Sequence, residues 1–585
     1  MAELDKQNWD EMKDTLTEYL EAIEEGYADA IVESRIIRDK LYIHVEKEYL
    51  DDIISFIYWE LKGFLSSMIG VDERPIDSTY KLYYLLSMEG READKSVKPW
   101  IIVTTSIPWH DTEFPSVTPK VPAASWYERE VHDLLGLKPL EHPDLRRLVV
   151  PDDWPEGDYP LRKEFKFDER PPRTEKNYEF KPKVESNKIV QMAMGPLHPM
   201  ADEPAQFRLF VNGEEIVDVD YRMFYVHRGL EKIAEERFTY NQTSFLAERV
   251  CGICGFAHSI SYCQAVEDAF NVDVPERALF IRTILLEIER LHSHMLNLGI
   301  TCHLTGFDWG FTQIFKIRES VMKMAEILTG GRKTYGMAIV GGVRRDILRE
   351  QADKVIEELR TLRKEFSEIW DVVSTTKTLI DRTEGVGILP AKIARSVSVV
   401  GPMARGSGLS RDARKDHPHA AYKHVPFKVQ TQNKGDALAR FTVRSGEIME
   451  SISIVEHALD ALQSIGGPIV TENIEPVEYA SGVGVDEAPR GENPHFVITG
   501  KDSRVYRWRV RAATYNNWPA LPYMSRGYTI ADFPVIVGSL DPCYSCTERV
   551  ELVNAETGKT IVVSYSELEK RSIKGSTKPL LDKLR

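Results

Sequence analysis

The sequence predicts a small α+β domain followed by a larger, mainly α-helical one. Three observations carry that expectation. Strand-like runs alternate with helical patterns across residues 1–150. From Pro151 to Ser186 prolines are mixed with charges, so residues 151–186 cannot build a core and read as an extended connector. From about Asn187 onward, long stretches repeat apolar residues at helical spacing.

In chain order, a polar helix is expected near Asn8–Glu25, then strands in IVESRII and KLYIHVE, then a long apolar helix around Tyr49–Ile69. TYKLYYLLSM and PWIIVTTSI read as further strands, and a helix starts near Ala123. The larger domain opens with strand-like FRLFVNG and EIVDVDYRMFY. Helices follow over Glu276–Leu298, Phe311–Leu328, Arg345–Val372 and Asp436–Ile465. The first of these is apolar on most faces, as a helix inside a bundle core must be. After Arg549, VELV and TIVVSY flank the turn residues NAETGK and predict a hairpin, with helical turns in SELEKRS. That pattern suits a structured appendage.

A chain of 585 residues can support two or more cores. Its 75 Lys+Arg against 91 Asp+Glu give a net charge of −16, which argues against nonspecific nucleic-acid binding. No stretch approaches the roughly 20 apolar residues of a membrane span. The acidic, polar start MAELDKQNWDEMKD does not read as a secretory signal.

Four of the six cysteines fall in two Cys-x-x-Cys pairs, Cys251/Cys254 in ERVCGICGFAH and Cys543/Cys546 in GSLDPCYSCTER. Four thiolates can hold one soft or borderline metal ion without another protein ligand. Gly252 and Gly255 let backbone N–H groups approach the sulfurs, which stabilises thiolates. Structural zinc knuckles usually close within a few tens of residues, far less than the separation of these pairs. Spacing alone leaves open a transition-metal centre, structural zinc included, a redox disulfide, and a coincidental pairing of thiols. Low cysteine usage suits a reducing cytoplasm. Cys263 and Cys302 lack a partner at metal spacing and read as buried thiols.

Together, ERVCGICGFAH, EAPRGE and DPCYSC resemble the large subunit of nickel-iron hydrogenases. In the first domain, SWYEREVHDLLGL, HPDLRRLVVPDDWP and YPLRKEF resemble the 30-kilodalton subunit of respiratory complex I. GPLHP, YVHRGLEK and GGVRRD resemble its 49-kilodalton partner. The fusion, with both cysteine pairs retained, is similar to large subunits of membrane-bound group 4 hydrogenases of the hydrogenase 3, formate hydrogenlyase kind. Complex I relatives lack the four cysteines.

The resemblance implies a complex I 30-kilodalton-like domain over 1–150 and a hydrogenase domain, similar to the 49-kilodalton subunit, over 187–549. Cys251 and Cys543 would be terminal nickel ligands. Cys254 and Cys546 would bridge to an iron carrying cyanide and carbon monoxide. Arg490 would stand over the metals' open face for proton exchange or electrostatic positioning, oriented by Asp541. Glu203 would be a proton gate, with Asp202 as the alternative acid, and His258 would hydrogen-bond a bridging sulfur. Glu231 matches a ligand of an additional magnesium or iron ion, with a salt bridge to an arginine as the rival reading. Arg549 stands where respiratory hydrogenases end in a metal-binding histidine. His292 and His294 lie two apart on a helix and so cannot chelate one ion. Ser293, between them, replaces the aspartate of respiratory hydrogenases.

By the same resemblance, residues 550–585 would be a processing peptide cut between Arg549 and Val550. The implied activity is reduction of protons to dihydrogen. Implied partners are an iron-sulfur small subunit, ferredoxin-like cluster subunits, integral membrane subunits, a maturation protease and nickel-insertion chaperones, with formate dehydrogenase as the favoured electron source. Those membrane subunits would hold the chain on the cytoplasmic face of the inner membrane. Two rivals remain: a complex I-like quinone oxidoreductase subunit without its own metal, and a noncatalytic scaffold with structural zinc.

Overall fold

The computed structural model describes residues 2–88, 98–169, 171–175, 180–181, 188–198, 203–225, 227–546, 552–553 and 560–561. Helix α1 (Ala2–Tyr27) buries Leu16, Tyr19 and Ile23, which recur at helical spacing. It is followed by β1 (Ile31–Ile37), β2 (Lys40–Val45), α2 (Leu50–Trp59), β3 (Gly63–Asp72), β4 (Thr79–Met88), β5 (Trp100–Pro108) and α3 (Ser125–Leu135). The strands form one sheet in the order β1-β2-β5-β4-β3, antiparallel except where β2 meets β5.

The long helix expected around Tyr49–Ile69 is instead two elements. Helix α2 ends at Trp59, Lys62 takes a left-handed φ of 60°, and β3 begins at Gly63. All ten residues of β3 are buried. A strand covered on both faces loses the apolar/polar alternation, so its sequence looks like a buried helix. One face, through Leu65 and Met68, joins a core that includes Leu16, Ile54, Leu389 and Trp518. The other, through Ile69 and Val71, packs with Val483, Val485, Phe496 and Ile498 far along the chain.

The connector forms neither helix nor strand among its described residues. Contrary to expectation it does contribute to the core, because Trp154, Leu161 and Phe165 are buried there. A proline- and charge-rich composition excludes regular elements, yet a few large apolar side chains suffice to anchor it.

After the connector comes the antiparallel sheet β6 (Val190–Met194), β7 (Gln206–Asn212) and β8 (Glu215–Arg222). Then come α4 (Leu230–Arg237), α5 (Gly255–Phe270), α6 (Glu276–Leu304), α7 (Asp308–Thr329), α8 (Arg349–Thr375) and α9 (Ala437–Leu462). Helix α6 is buried along most of its length, as its pattern predicts, and it carries buried charges as well as apolar residues.

A three-stranded antiparallel sheet that the sequence reading missed follows: β9 (Ser481–Ala488), β10 (Gly491–Thr499) and β11 (Val505–Val510). Its glycines weaken the strand signal, yet packing requires them. A Cβ on Gly482 would sit 2.0 Å from Ala265 O, and one on Gly484 2.0 Å from Ser261 O. Helix α5 therefore lies directly on the strand backbone. Ala488 pairs with Gly491, so Pro489 and Arg490 form the tip of the β9–β10 hairpin.

Helix α10 (Phe533–Leu540) leads to the second cysteine pair. Beyond it, Leu552–Val553 pairs antiparallel with Thr560–Ile561, the strands expected of the terminal hairpin. The SELEKRS turns and the Arg549–Val550 junction lie outside the described residues. Among the described residues, no helix is long and apolar enough to cross a membrane.

Candidate metal centre

Two helix ends deliver the cysteines. Cys251 lies in the turn before α5 and Cys254 is the N-cap of that helix. On the other side, Asp541 adopts the left-handed conformation (φ 58°) that ends α10 and turns the chain into Pro542 and Cys543. Aspartate tolerates that conformation better than most residues. Cys251 Sγ lies 3.2 Å from Cys543 Sγ and 3.0 Å from Cys254 Sγ. All three sulfurs are buried and lie within 4.8 Å of one another. These separations exceed the roughly 2.05 Å of a disulfide. Ile253 and Cys254 donate backbone N–H bonds to Cys251 Sγ at 3.3 and 3.2 Å, the contacts that Gly252 was expected to permit.

Cys543 N–H donates to Thr514 Oγ1 at 3.2 Å, and a short 3-10 turn carries the backbone from Tyr544 to Cys546. Tyr544 is buried against Trp518 and anchors that turn. The Cys546 side chain lies outside the described residues. Three convergent, buried sulfurs with backbone donors fit a soft transition ion.

Arg490, at the hairpin tip, lies beside the same site. Its Nη2 meets Asp541 Oδ1 at 2.9 Å, its Nε donates to Asp541 O at 2.8 Å, and its Nη1 donates to Ser293 Oγ at 3.2 Å. Burial opposes its charge. The Asp541 carboxylate and the sulfurs of Cys543, Cys254 and Cys251 outweigh burial and hold the guanidinium well above its ordinary range. Asp541 also faces Arg444 Nε at 3.8 Å.

His258 is buried on α5, with its Nδ1 3.0 Å from His495 Nε2. Trp508 Nε1 donates to His495 Nδ1 at 3.2 Å. An indole N–H can only donate, so His495 accepts at Nδ1 and carries its proton on Nε2. His258 then accepts at Nδ1 and presents an N–H at Nε2. Burial pushes the His258 pKa down to about 4, with Arg228 and Arg490 adding to the effect against Cys251. Its imidazole is neutral near pH 7. The polar chain Trp508–His495–His258 could not be found from sequence, because its members sit on separate elements with no shared motif.

Glu203 is half-buried, and its carboxylate accepts both the N–H and the hydroxyl of Ser545, the residue directly before Cys546. Asp202 lies outside the described residues. Glu231 takes the rival reading offered for it. Its carboxylate meets Arg507 Nη1 at 2.7 Å and Arg509 Nη1 at 3.3 Å, and it accepts Val510 N–H at 3.1 Å. Burial works to raise its pKa, but the two guanidiniums prevail and hold it below the usual carboxylate value. The same two guanidiniums also pair with Glu235 and Glu130, so Glu231 sits in a network of three carboxylates and two arginines.

His292 and His294 point to different partners, Ile253 O at 3.1 Å and Glu447 Oε2 at 2.7 Å. Ser293 turns toward Arg490 instead. Glu289 was missed by sequence reading. It accepts the backbone N–H groups of Phe256 and Ala257 at 2.9 Å and so caps α5 just beyond Cys254. Burial raises its carboxyl to about 7. Cys302 is pushed up to about 12 by burial and Cys263 is raised further, which keeps both as unreactive thiols.

Comparisons with known proteins divide along the same lines. Residues 43–171 match the family described as respiratory-chain NADH dehydrogenase, 30 Kd subunit. Residues 304–481 and 469–549 match the 49 Kd subunit family. Residues 228–317 match the nickel-dependent hydrogenase family. The chain is 48% identical over 566 residues to formate hydrogenlyase subunit 5 of Escherichia coli (strain K12), covering 96% of this chain and 98% of that one. It is 46% identical to hydrogenase-4 component G of the same organism, with the same coverage of 96% and 98%. Among solved structures, a chain of the membrane-bound sulfane sulfur reductase, an archaeal respiratory membrane complex, is similar with a TM-score of 0.59. That match has 27% identity and covers 63% of this chain and 100% of the other.

Proposed function

Because the chain belongs to the family of membrane-bound nickel-iron hydrogenase large subunits that includes formate hydrogenlyase subunit 5 and hydrogenase-4 component G, we propose that it is the catalytic subunit for 2H⁺ + 2e⁻ ⇌ H₂ in such a complex, working chiefly toward dihydrogen. One observation carries the reading: buried sulfurs from segments almost three hundred residues apart converge beside a buried arginine.

The residues present fit a nickel-iron pair, which Cys251, Cys254, Cys543 and Cys546 would hold. When bound, that pair supplies the redox couple and the Lewis-acid position that side chains lack. We assign its iron cyanide and carbon monoxide ligands by family.

This chain's own residues handle charge and protons. Arg490 keeps a fixed positive charge beside the sulfurs, since a guanidinium does not readily give up its proton. Asp541 and Ser293 hold its planar fork in one orientation. Neutral His258 directs an Nε2–H donor, with His495 and Trp508 setting its tautomer. Glu203, half-buried beside the Cys543–Cys546 turn, is the group to carry protons between solvent and the site.

Electrons reach the site through a separate iron-sulfur small subunit and ferredoxin-like subunits, because the remaining cysteines, Cys263 and Cys302, are too few for a cluster. Integral membrane subunits hold the complex on the cytoplasmic face, and formate dehydrogenase supplies electrons. The 49 Kd family match ends at residue 549, which supports a processing peptide over 550–585.

Metal analysis and hydrogen evolution from reduced viologen test the reading in the purified complex. Nickel near one per chain is expected, with nickel and activity both lost in Cys546→Ala. Equimolar zinc without nickel would overturn it in favour of a scaffold. Absence of any metal would favour the quinone oxidoreductase reading, which the complex I family matches support.

A further inference from the structure

Ser545 lies between the cysteines of the second pair, and each of its polar groups is engaged. Its N–H and hydroxyl go to Glu203, and its carbonyl accepts from Arg228 Nη2 at 2.7 Å. The same guanidinium reaches the first pair. Nη1 donates to Arg249 O at 2.7 Å and Nη2 to Val250 O at 2.7 Å. Those are the last two carbonyls before Cys251. One planar cation thus bonds to the backbones that carry both cysteine pairs.

Arg228 can do this because of where the chain turns. It precedes Gly229, whose φ of 61° opens α4, and so it stands at the rim of a small cavity also lined by Val250, Ser545 and Glu231. A lysine could substitute only in part. A guanidinium offers five N–H groups in a fixed fork, whereas an ammonium is a point donor on a flexible stem.

We propose that Arg228 is a positioning residue that clamps the second cysteine pair onto the first, with Glu203 gripping the opposite side of Ser545. The proposal rests on the reading that the four cysteines share one metal centre. Metal retention then depends on a bond network outside the ligand set. The clamp engages only when the segment carrying Cys543 and Cys546 has seated, so it joins the Arg490–Asp541 and Tyr544–Trp518 contacts that hold that segment in place.

The test is nickel content and the rate of nickel loss to excess EDTA in the purified complex, with melting temperature measured alongside. Wild type should hold nickel near one per chain, and a wild type without nickel would sink the four-cysteine reading itself. Arg228→Ala should lose nickel at least tenfold faster at an unchanged melting temperature, and Arg228→Lys should fall between. Ser545→Ala keeps the carbonyl that Arg228 needs and loses one of the two bonds to Glu203, so it should lose nickel more slowly than Arg228→Ala. Wild-type retention in Arg228→Ala overturns the proposal, as does a Ser545→Ala rate equal to that of Arg228→Ala. Should Arg228→Ala fail to assemble, wild-type retention in Arg228→Lys would overturn it on its own.

Discussion

Arg490 and Asp541 meet at 2.9 Å beside three buried sulfurs, and the same arginine bonds the Asp541 carbonyl at 2.8 Å. The hairpin tip and the end of α10 are thereby locked together at the proposed metal site. The arginine at the hairpin tip and the residue that introduces Cys543 are one unit. Arg490→Lys keeps the charge and loses the fork, so hydrogen evolution should fall on the order of a hundredfold with nickel content retained. Asp541→Asn should cost about tenfold, since the backbone bond survives and charge-assisted bonds are only about twice as strong as neutral ones. Viologen-linked kcat and nickel content, measured together, check both.

His495→Phe should leave His258 free to take either tautomer. Supporting residues of this kind typically cost about tenfold to a hundredfold in activity or metal affinity. The expected result is a drop in kcat within that range with an unchanged fold by circular dichroism. Full activity would show that the Trp508–His495–His258 chain has no bearing on catalysis.

Glu287 is fully buried on α6 and receives Arg290, Arg414, Tyr422 and Ser451. Burial would raise its carboxyl, but Arg290 and Arg414 hold it down at about 2. Glu287→Gln removes the ion-pair partner of buried Arg290, while Arg414 keeps Asp412 at 2.7 Å, and should destabilise the chain by about 3–5 kcal/mol at pH 7. Chemical denaturation of the complex measures the loss.

His142 in the first domain is pushed from its ordinary 6.5 to about 4, by burial first and Arg129 second. Between those values the unfolded chain binds the proton and the fold does not, so stability rises with pH there. This contribution is complete above pH 6.5 and is lost as pH falls toward 4. The wild type should therefore lose melting temperature between pH 7 and pH 5 more steeply than His142→Gln. Parallel slopes would contradict the assignment.

If the terminal hairpin belongs to a processing peptide, active protein should lack residues 550–585. Intact-mass measurement decides this directly, and a full-length active enzyme would refute it.

Much of the site was legible in the sequence because its chemistry is local. Cys251 and Cys254, or Asp541 and Cys543, are close enough along the chain to declare a shared task. Arg490 was legible through its motif, but the sheet that presents it was not, since Gly482 and Gly484 erase the strand pattern. Strand β3 was hidden for the opposite reason, being apolar throughout. Glu231 was ambiguous because a carboxylate's role depends on which cations surround it, and Arg507 and Arg509 come from a strand far along the chain.

The sequence by itself determined which atoms are available: four thiolates in two matched pairs, one arginine in a family motif, and a resemblance to nickel-iron hydrogenases. Only the tertiary structure decided which atoms meet. It brought Cys543 to Cys251, set Ser293 against Arg490, oriented His258 through His495 and Trp508, and laid Arg228 across both cysteine segments. Spacing along the chain restrains contacts only within a helix or a turn. Contacts between elements follow from how their buried faces pack, a property of the whole chain that no short segment carries.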